Sequence, residues 1–294
     1  MEPRQGPHPQ GPRVSEALGA ALPAAGTPLR TIALTGASSG IGAALAAELA
    51  GPGVRLARAG REAARLEEVA TACRTRGAVV ETALVDVRDR PVLHAWLAAV
   101  DAGGEVDVLI ANAGVSAGLG PRKSRETNED VRRLVEVNLI GAIDTVSGLV
   151  EVMRARRRGQ IVIVASVAGL RGSPAMPTYS ATKAALIAYG EAIRGWLRPS
   201  GVSVTVVCPG FVTSPMSARH KGSKPFEMPV EKAARIIARG IAGRRAVVAF
   251  PFLLALGARL SRLLPAALSD RAFEPFAAKI ERDPRADVDG RGPE

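Results

Sequence analysis

The chain has 294 residues, of which 47% are hydrophobic and 23% are charged. This composition allows a sizeable core, so it excludes a wholly disordered or fibrous protein, and the length suits one large domain with short extensions. The formal net charge of +11 raises the question of a nucleic-acid partner. Because the basic residues are spread along the chain without an aromatic-and-basic recognition motif, we expect no nucleic-acid partner.

The cysteines and histidines do not form a recognisable metal site. Cys73 and Cys208 lie far apart without a CxxC pair, so neither a disulfide framework nor a cysteine-built zinc site is predicted. His8, His94 and His220 are scattered without metal-ligand spacing, and we interpret each as a solvated residue. We therefore expect no metal, and the cysteine usage predicts a reducing compartment, the cytoplasm.

Residues 1–28 are rich in proline and lack both helical periodicity and the apolar run of a signal peptide, which predicts a disordered leader. From Leu29 onward, short apolar runs alternate with longer Ala-rich stretches, the pattern of βαβ units. The predicted strands are Arg30 to Leu34, Val54 to Ala59, Ala78 to Val85, Val106 to Ala111, Gln160 to Ala165, Val202 to Val207 and Ala246 to Phe250. We predict an α/β fold: a doubly wound, mostly parallel seven-stranded sheet with helices on both faces, in a single domain over residues 29–250.

A glycine-rich turn follows the first predicted strand. It reads Thr35-Gly36-Ala37-Ser38-Ser39-Gly40-Ile41-Gly42 and leads into a predicted helix, Ala43 to Ala50. Glycines allow the backbone to approach a pyrophosphate, and a helix N-terminus offers unpaired N–H groups to it. A glycine-rich loop without a ligand is the alternative, but the order strand, turn, helix favours a nucleotide site.

The end of the second predicted strand bears on the choice of cofactor. Where a dinucleotide fold places an acidic residue for the ribose of NAD, this chain has Gly60 and Arg61. An arginine supplies donors to a 2′-phosphate, so the sequence predicts NADP. Arg58 lies inside the same strand, either as a second phosphate contact or with its charged end reaching solvent, and we favour the second.

A third group of residues suits carbonyl and alcohol chemistry. Tyr179 and Lys183 stand four residues apart near the start of a predicted helix, Tyr179 to Leu197, so they share one face. Ser166 ends the preceding predicted strand and can hydrogen-bond a carbonyl oxygen. A tyrosine and a lysine at this spacing are usually surface neighbours, and only the glycine turn upstream makes a catalytic role plausible.

Taken together, these motifs resemble the classical short-chain dehydrogenase/reductase family, from about Leu29 to Gly240. The matching segments are the TGxxxGxG turn, Asp86-Val87, Asn112-Ala113-Gly114, Asn138 in Val137-Asn138-Leu139, Ser166, the YxxxK segment Tyr179 to Lys183, and Pro209-Gly210-Phe211-Val212-Thr213. The cofactor-binding set that the resemblance implies is Thr35, Gly36, Ser38, Ser39, Gly40, Ile41, Gly42, Arg61, Asp86, Val87, Asn112, Ala113, Gly114, Tyr179, Lys183, Pro209, Gly210, Val212 and Thr213.

The resemblance also implies a role for each residue of a catalytic tetrad. Tyr179 would be the general acid in carbonyl reduction and the base in alcohol oxidation, with Ser166 orienting the substrate oxygen. Lys183 would bind the nicotinamide ribose and lower the pKa of Tyr179. Asn138, in mid-helix, would hold a water that links Lys183 to solvent.

Supporting roles follow in the same way, each with a simpler alternative. Asn112 and Gly114 would support the cofactor channel, Asp86 would contact the adenine, and Thr213 the carboxamide. Equally, Asn138 could kink or cap its helix, Asp86 could cap the next helix, and Thr213 could start a turn.

Two regions should be specific to this protein. The first consists of two segments that would border the substrate pocket. Residues 214–229 contain Met216, Phe226 and Met228 among small and polar residues, which indicates a mobile lid over an apolar substrate, or ordinary packing. Residues 170–177, with Met176, would form another wall of the pocket.

The second region lies in residues 246–268, which are mostly apolar but interrupted by prolines and by Arg259 and Arg262, so we do not expect them to cross a membrane. A stripe at helical spacing comprises Leu253, Leu256, Leu260, Leu263 and Leu264. It could close the pocket, contact a subunit or rest on a membrane surface, and we rank the first two above the third. Residues 251–294 are thus expected to form an amphipathic helix and a frayed tail.

The sequence predicts an NADP-dependent oxidoreductase that acts on a carbonyl or secondary alcohol of a small-to-medium apolar substrate, assembled as a homodimer or homotetramer. A nonenzymatic NADP-binding scaffold or sensor is the alternative.

Overall fold

The computed structural model describes residues 30–273 and 279–281. The predicted leader, residues 1–28, and the last thirteen residues of the predicted tail lie outside this described part. The strands are β1 (Arg30–Thr35), β2 (Val54–Gly60), β3 (Val79–Leu84), β4 (Val106–Ala111), β5 (Gly159–Val164), β6 (Val202–Pro209), β7 (His220–Lys221), β8 (Val247–Phe250) and β9 (Lys279–Ile280).

The helices follow the predicted alternation with the strands. They are α1 (Gly40–Leu49), α2 (Ala63–Arg74), α3 (Arg90–Ala102), α4 (Asn128–Leu134), a π-helical segment (Val135–Ile140), α5 (Gly141–Ala155), α6 (Val167–Leu170), α7 (Pro177–Leu197), α8 (Pro215–Ala218), α9 (Val230–Ala242), α10 (Phe252–Leu260) and α11 (Ala266–Phe273). Short 3₁₀ turns occur at Pro121–Lys123, Arg198–Ser200 and Ser261–Leu263.

Seven strands form one parallel sheet in the order β3-β2-β1-β4-β5-β6-β8. The predicted doubly wound α/β fold is confirmed. From β1 the chain adds β2 and β3 on one side, and from β4 it adds β5, β6 and β8 on the other. The direction in which strands are added therefore reverses between β1 and β4. In such sheets a crevice opens there at the carboxyl ends of the strands, and this is where ligands bind.

Each face of the sheet carries its own apolar core. Ile32 and Leu34 of β1 pack into one core, whereas Ala33 between them packs into the other. Because successive strand residues point to opposite faces and helices cover both, inner strands such as β4 and β5 are buried along almost their whole length. The strands that lead to the site are therefore packed against an apolar core on both faces of the sheet.

The structure corrects three boundaries that matter for the site. Helix α1 begins at Gly40, three residues before the predicted start, so its first turn includes the last glycines of the TGxxxGxG motif. Helix α7 begins at Pro177, which places Tyr179 inside the helix rather than at its start. Strand β5 ends at Val164, and Ser166 caps the short helix α6.

After strand β8, the described residues contain two helices and a short strand. Helix α11 follows α10, and β9 pairs antiparallel with β7 inside the predicted lid. Gly118 makes room for this closure, since a Cβ atom at that residue would lie 2.6 Å from Ile280 Cγ1. No periodicity marks strands of two residues, so this pairing was not predictable from the sequence.

The leucine stripe does not close the pocket. Leu253, Leu256, Leu260, Leu263 and Leu264 all face outward and are exposed. The inner side of α10 is instead formed by Leu254, Ala255 and Ala258, which pack against the body of the protein. The expectation that the stripe covers the substrate pocket is therefore wrong. Among the helices in the described ranges, none is long and apolar enough to cross a bilayer.

Candidate active site

The glycine turn between β1 and α1 has the backbone geometry of a phosphate cradle. Gly36 and Gly40 both adopt positive φ angles, +67° and +54°, which side-chain-bearing residues rarely tolerate. A Cβ atom on Gly42 would lie 2.2 Å from the Gly36 carbonyl oxygen, so only glycine lets α1 start this close to the turn. Ser39 precedes α1 without capping it through its side chain, and residues 40–42 of the first turn, whose N–H groups have no acceptor within the helix, line the cavity. These donors fit a pyrophosphate.

Thr35 and Asn112 hold the turn against the end of β4. The Asn112 side-chain amide donates to the carbonyl oxygens of Thr35 and Gly36, at 3.1 and 3.0 Å. The Thr35 hydroxyl accepts from the backbone N–H of Asn112 at 3.2 Å. Thr35 is fully buried, so its part in cofactor binding is to support the turn from below.

Charged side chains line the end of the cavity that is nearest to β2 and β3. Gly60 and Arg61 lie beside Ser38, and Arg61 Nη1 is 3.8 Å from Asp86 Oδ2. Burial acts to raise the pKa of Asp86, but hydrogen bonds and charge from Arg88, with a contribution from Arg61, outweigh it, so this pKa lies below its usual value. Asp86 is therefore ionised at neutral pH and helps to orient both arginines.

The predicted catalytic side chains converge at the other end of the same cavity. Tyr179 and Ser166 line the same part of the cavity. The Ser166 hydroxyl donates to the Pro209 carbonyl oxygen at 3.4 Å and accepts from the backbone N–H of Ala168 at 3.1 Å. Lys183 lies one helical turn beyond Tyr179, with its Nζ 5.8 Å from the centre of the Tyr179 ring. The ammonium donates to the Val164 carbonyl oxygen at 3.0 Å, which fixes it beside the ring.

Burial favours the neutral form of both Lys183 and Tyr179, so it moves their pKa values in opposite directions. It lowers the pKa of Lys183 to about 8. It raises the pKa of Tyr179, against which the hydrogen bond from Ser166 acts. The expected lowering of the Tyr179 pKa by Lys183 is not what this structure shows, because desolvation of the phenol dominates.

Comparison with known proteins agrees with this geometry. The family model for short chain dehydrogenases matches residues 30–224. The chain belongs to the short-chain dehydrogenase family. An uncharacterised oxidoreductase of Myxococcus xanthus is 38% identical over 244 residues, which cover 83% of this chain and 96% of that protein. The putative ketoacyl reductase of the monensin polyketide synthase of Streptomyces virginiae is 37% identical over 65% of this chain and 73% of its own length.

Solved structures of similar proteins carry either nicotinamide dinucleotide. A variant of actinorhodin polyketide ketoreductase with NADPH has a TM-score of 0.70 and 27% identity, covering 77% of this chain and 97% of its own. A short-chain dehydrogenase of Mycobacterium paratuberculosis bound to NAD has a TM-score of 0.66 over 75% of this chain and 94% of its own. At 24% identity the second shows the shared fold alone.

Most of the predicted residues of this short-chain dehydrogenase line one cavity of about 350 Å³. Those that do are Gly36, Ser38, Ser39, Gly40, Ile41, Gly42, Arg61, Asp86, Val87, Asn112, Ala113, Gly114, Ser166, Tyr179, Lys183, Pro209, Gly210 and Val212. Three predicted residues do not: Thr35, Asn138 and Thr213. Segments far apart in sequence therefore meet at the sheet edge where the strand order reverses.

Asn138 acts on the backbone next to the cavity. Its side-chain oxygen accepts from Val115 N–H at 2.7 Å and its amide donates to the Val115 carbonyl at 2.9 Å. It lies within the π-helical segment and not at a helix cap. A Cβ atom on Gly114 would be 3.3 Å from Asn138 Oδ1 and 3.5 Å from Lys183 Nζ, which shows how close these groups lie.

Thr213 differs from its expected role. It is exposed, its hydroxyl donates to the Met228 carbonyl oxygen at 3.4 Å, and Ser214 lines the cavity in its place. Residues 212–213 and Met228 are joined by backbone bonding, which ties the two ends of the lid together. Met228 is buried, Met216 lines the cavity, and Phe226 is exposed.

Some residues of the site escaped the sequence analysis. His220 is buried against the Phe211 ring, 4.9 Å between centroids, and lines the cavity rather than being solvated. His94 does not line the cavity, but it too is not simply solvated, since it is partly buried and contacts the Asp144 carbonyl oxygen at 3.0 Å. Arg219 is buried in the lid and donates to the Ser116 hydroxyl at 3.1 Å. Single residues such as these carry no spacing that a sequence pattern could reveal.

Arg58 is neither a phosphate contact nor a solvent-reaching side chain. It is fully buried under the glycine turn, where it donates to the Ala37 carbonyl oxygen at 2.6 Å and to the Leu66 carbonyl oxygen at 3.1 Å. It therefore braces the turn from behind. Over the described ranges, no cluster of three or more His, Cys, Asp or Glu could hold a metal ion, and both cysteines are free and buried.

Proposed function

We propose that this short-chain dehydrogenase is an NADPH-dependent reductase of a carbonyl group on a small-to-medium apolar compound. The observation that carries the proposal is the meeting, in one cavity, of Ser166, Tyr179 and Lys183 with an uncapped glycine-rich helix N-terminus. The backbone N–H groups of the glycine turn would bind the cofactor's pyrophosphate, and Tyr179 would donate a proton at the other end of the cavity. One dinucleotide cofactor bound along the cavity would bring these two functions together.

The titration of Tyr179 favours reduction over alcohol oxidation. Because burial raises its pKa, the phenol holds its proton at neutral pH and is ready to donate it to a carbonyl oxygen. Ser166 is placed beside the phenol to orient that oxygen. When bound, the nicotinamide supplies the hydride. The protein contributes the proton, the orientation and the exclusion of water.

Lys183 and Asn138 support this proton donor. The lysine, held by the Val164 carbonyl, is positioned to bind the nicotinamide ribose hydroxyls. Asn138 fixes the Val115 backbone next to Gly114 and Lys183, and a water held in the π-helical segment would link Lys183 to solvent.

Arg61 supports the choice of NADPH over NADH. It lines the cavity next to Gly60 and Ser38, at the site where a carboxylate would accept the ribose hydroxyls of NAD. The actinorhodin ketoreductase, at 27% identity, is described with NADPH, which agrees with this choice.

The cavity beyond Tyr179 supports an apolar substrate. Met176, Met216, Leu254 and Ile280 contribute to its lining. The Streptomyces relative is named as a putative ketoacyl reductase, so ketones borne on acyl chains are the first substrates to test. The protein is expected to act as a homodimer or homotetramer in the cytoplasm, without a nucleic-acid partner.

The experiment is a scan of lipophilic ketones, ketoacyl thioesters and aldehydes, followed by loss of NADPH absorbance. Tyr179→Phe should abolish turnover of every active substrate while NADPH affinity changes little, because only the transferable proton is removed. Tyr189→Phe, ten residues along the same helix, is the matched control and should retain activity. Substantial turnover by Tyr179→Phe, or NADPH binding with no reduction of any carbonyl, would count against the proposal and in favour of a scaffold or sensor.

A further inference from the structure

A group of exposed apolar side chains lies on the C-terminal helices and the turn between them. Half of the exposed large hydrophobic side chains in the described part of the chain lie between residues 252 and 268. They are Phe252, Leu253, Leu256, Leu260, Leu263, Leu264 and Leu268, and we call them the C-terminal apolar face. Phe252 is 71% exposed and Leu263 81% exposed, far above what scattered surface residues explain.

Helix α10 shows that this exposure is an orientation and not poor packing. With about 100° of rotation per residue, Phe252, Leu253, Leu256 and Leu260 occupy one continuous arc of α10. The opposite arc carries Ala255 and Ala258, which are buried, and Leu254, which lines the substrate cavity. The helix thus packs with its small side chains and presents its large ones outward.

The charge around this face restricts what can cover it. Residues 242–269 contain Arg244, Arg245, Arg259 and Arg262 and no acidic residue. All four arginines are exposed, and Arg259 borders the apolar arc of α10. A two-fold contact between copies of the chain would bring this basic face against itself, which like-charge repulsion disfavours.

We propose that the C-terminal apolar face docks on an anionic bilayer surface. The leucines and Phe252 would enter the boundary between headgroups and acyl chains, and Arg259 and Arg262 would contact lipid phosphates. Helix α10 has nine residues and is about 14 Å long, so it lies on the membrane and does not span it. The net charge of +11 adds a long-range attraction to the same surface.

The test is sedimentation of the full-length protein with vesicles of phosphatidylglycerol and phosphatidylcholine, against vesicles of phosphatidylcholine alone. The wild type should sediment with the anionic vesicles, and added salt should release it. Leu253→Glu with Leu256→Glu should reduce binding to the background. Val79→Glu with Val92→Glu, which adds the same charge at exposed aliphatic positions elsewhere, should bind as the wild type does.

A second variant keeps the apolar face and removes its charge. Arg259→Gln with Arg262→Gln should lower the vesicle partition coefficient by about tenfold or more. Neither double variant replaces a residue of the cavity, so both should retain NADPH binding. If the leucine variant fails to fold, the arginine variant still decides the question.

The proposal is overturned if the wild type stays in the supernatant with anionic vesicles, or if both variants sediment as the wild type does. It is also overturned if sedimentation velocity without vesicles shows an oligomer that the leucine variant disrupts while vesicle binding is absent, since the face then meets a second copy. None of these measurements depends on catalysis, so the proposed reductase activity stands or fails separately.

Discussion

In the proposed function, the choice of NADPH over NADH depends on Arg61. Its replacement by alanine should weaken NADPH binding about tenfold to a hundredfold, because a charge-assisted contact to the 2′-phosphate is lost, and should leave NADH binding unchanged. Arg65→Ala, one turn further along in α2, removes an exposed arginine paired with Glu62 and is the matched control. Fluorescence titration with both cofactors measures the effect, and equal losses for NADPH and NADH would contradict the assignment.

Lys183 should give NADPH binding a pH dependence. Burial lowers its pKa to about 8, so the ammonium is present below that pH and is lost as the pH rises through it. NADPH affinity, measured by titration from pH 6.5 to 9.5, should therefore fall above about pH 8. Neither neighbouring group titrates in this window, because burial raises the pKa of Cys208 to about 11 and that of Tyr179 above its usual value.

Two variants test whether Lys183 causes the fall in NADPH affinity near pH 8. Tyr179→Phe should retain the step, whereas Lys183→Met should bind NADPH weakly at every pH without it. A step near pH 8 that persists in Lys183→Met would exclude Lys183 as the titrating group.

Residue types and order were predictable for the proposed catalytic set, but their electrostatics were not. Ser166, Tyr179 and Lys183 are recognisable from their order after the glycine turn and from the resemblance to the family's motifs, and not from spacing alone. The direction in which the pKa of Tyr179 moves depends on how much water the fold removes around the ring. Likewise, the sequence cannot tell that the Thr213 hydroxyl turns to the Met228 carbonyl, because residues of the lid decide it.

At the scale of the element, the close start of helix α1 against the glycine turn is the most constrained feature. Gly42→Ala would place a Cβ atom 2.2 Å from the Gly36 oxygen, so the turn must shift. We expect a loss of stability of about 1–3 kcal/mol and a fall in NADPH affinity.

Gly195→Ala is the control for this change, since it lies in helix α7 with nothing within 4 Å of the added Cβ. Alanine there should raise the free energy of unfolding by about 0.5–1 kcal/mol. Urea denaturation and NADPH titration measure both variants. Unchanged cofactor binding by Gly42→Ala would show that the turn is not a phosphate cradle.

Elements with a strong period were predicted within a few residues, and those without one were not. Most of the seven sheet strands are rich in apolar residues, which local sequence marks well, although the edge strand β3 is largely exposed. The π-helical segment around Asn138 depends on its contact with Val115. The β7–β9 pair depends on contact between the lid and residues 279–280. Such contacts join distant parts of the chain, so no local window contains them.

At the scale of the whole molecule, the cavity and the C-terminal apolar face lie on opposite sides of one helix. Leu254 and Ala258 of α10 contribute to the cavity, while Leu256 and Leu260 point away from it. A bilayer-docked face would thus place the substrate site next to a source of apolar compounds. This arrangement agrees with the apolar lining around Met176, Met216 and Ile280.

The sequence by itself determined the alternation of strands and helices, the glycine-rich turn and the family, because periodicity and turn chemistry are local properties. It also showed that leucines form a stripe after residue 250. Only the tertiary structure decided which way that stripe faces. The small side chains of Ala255 and Ala258 let the opposite side of α10 approach the protein closely, so the leucines are left outside. For the same reason, Arg58 could be located under the turn only once β2 and α2 were packed around it.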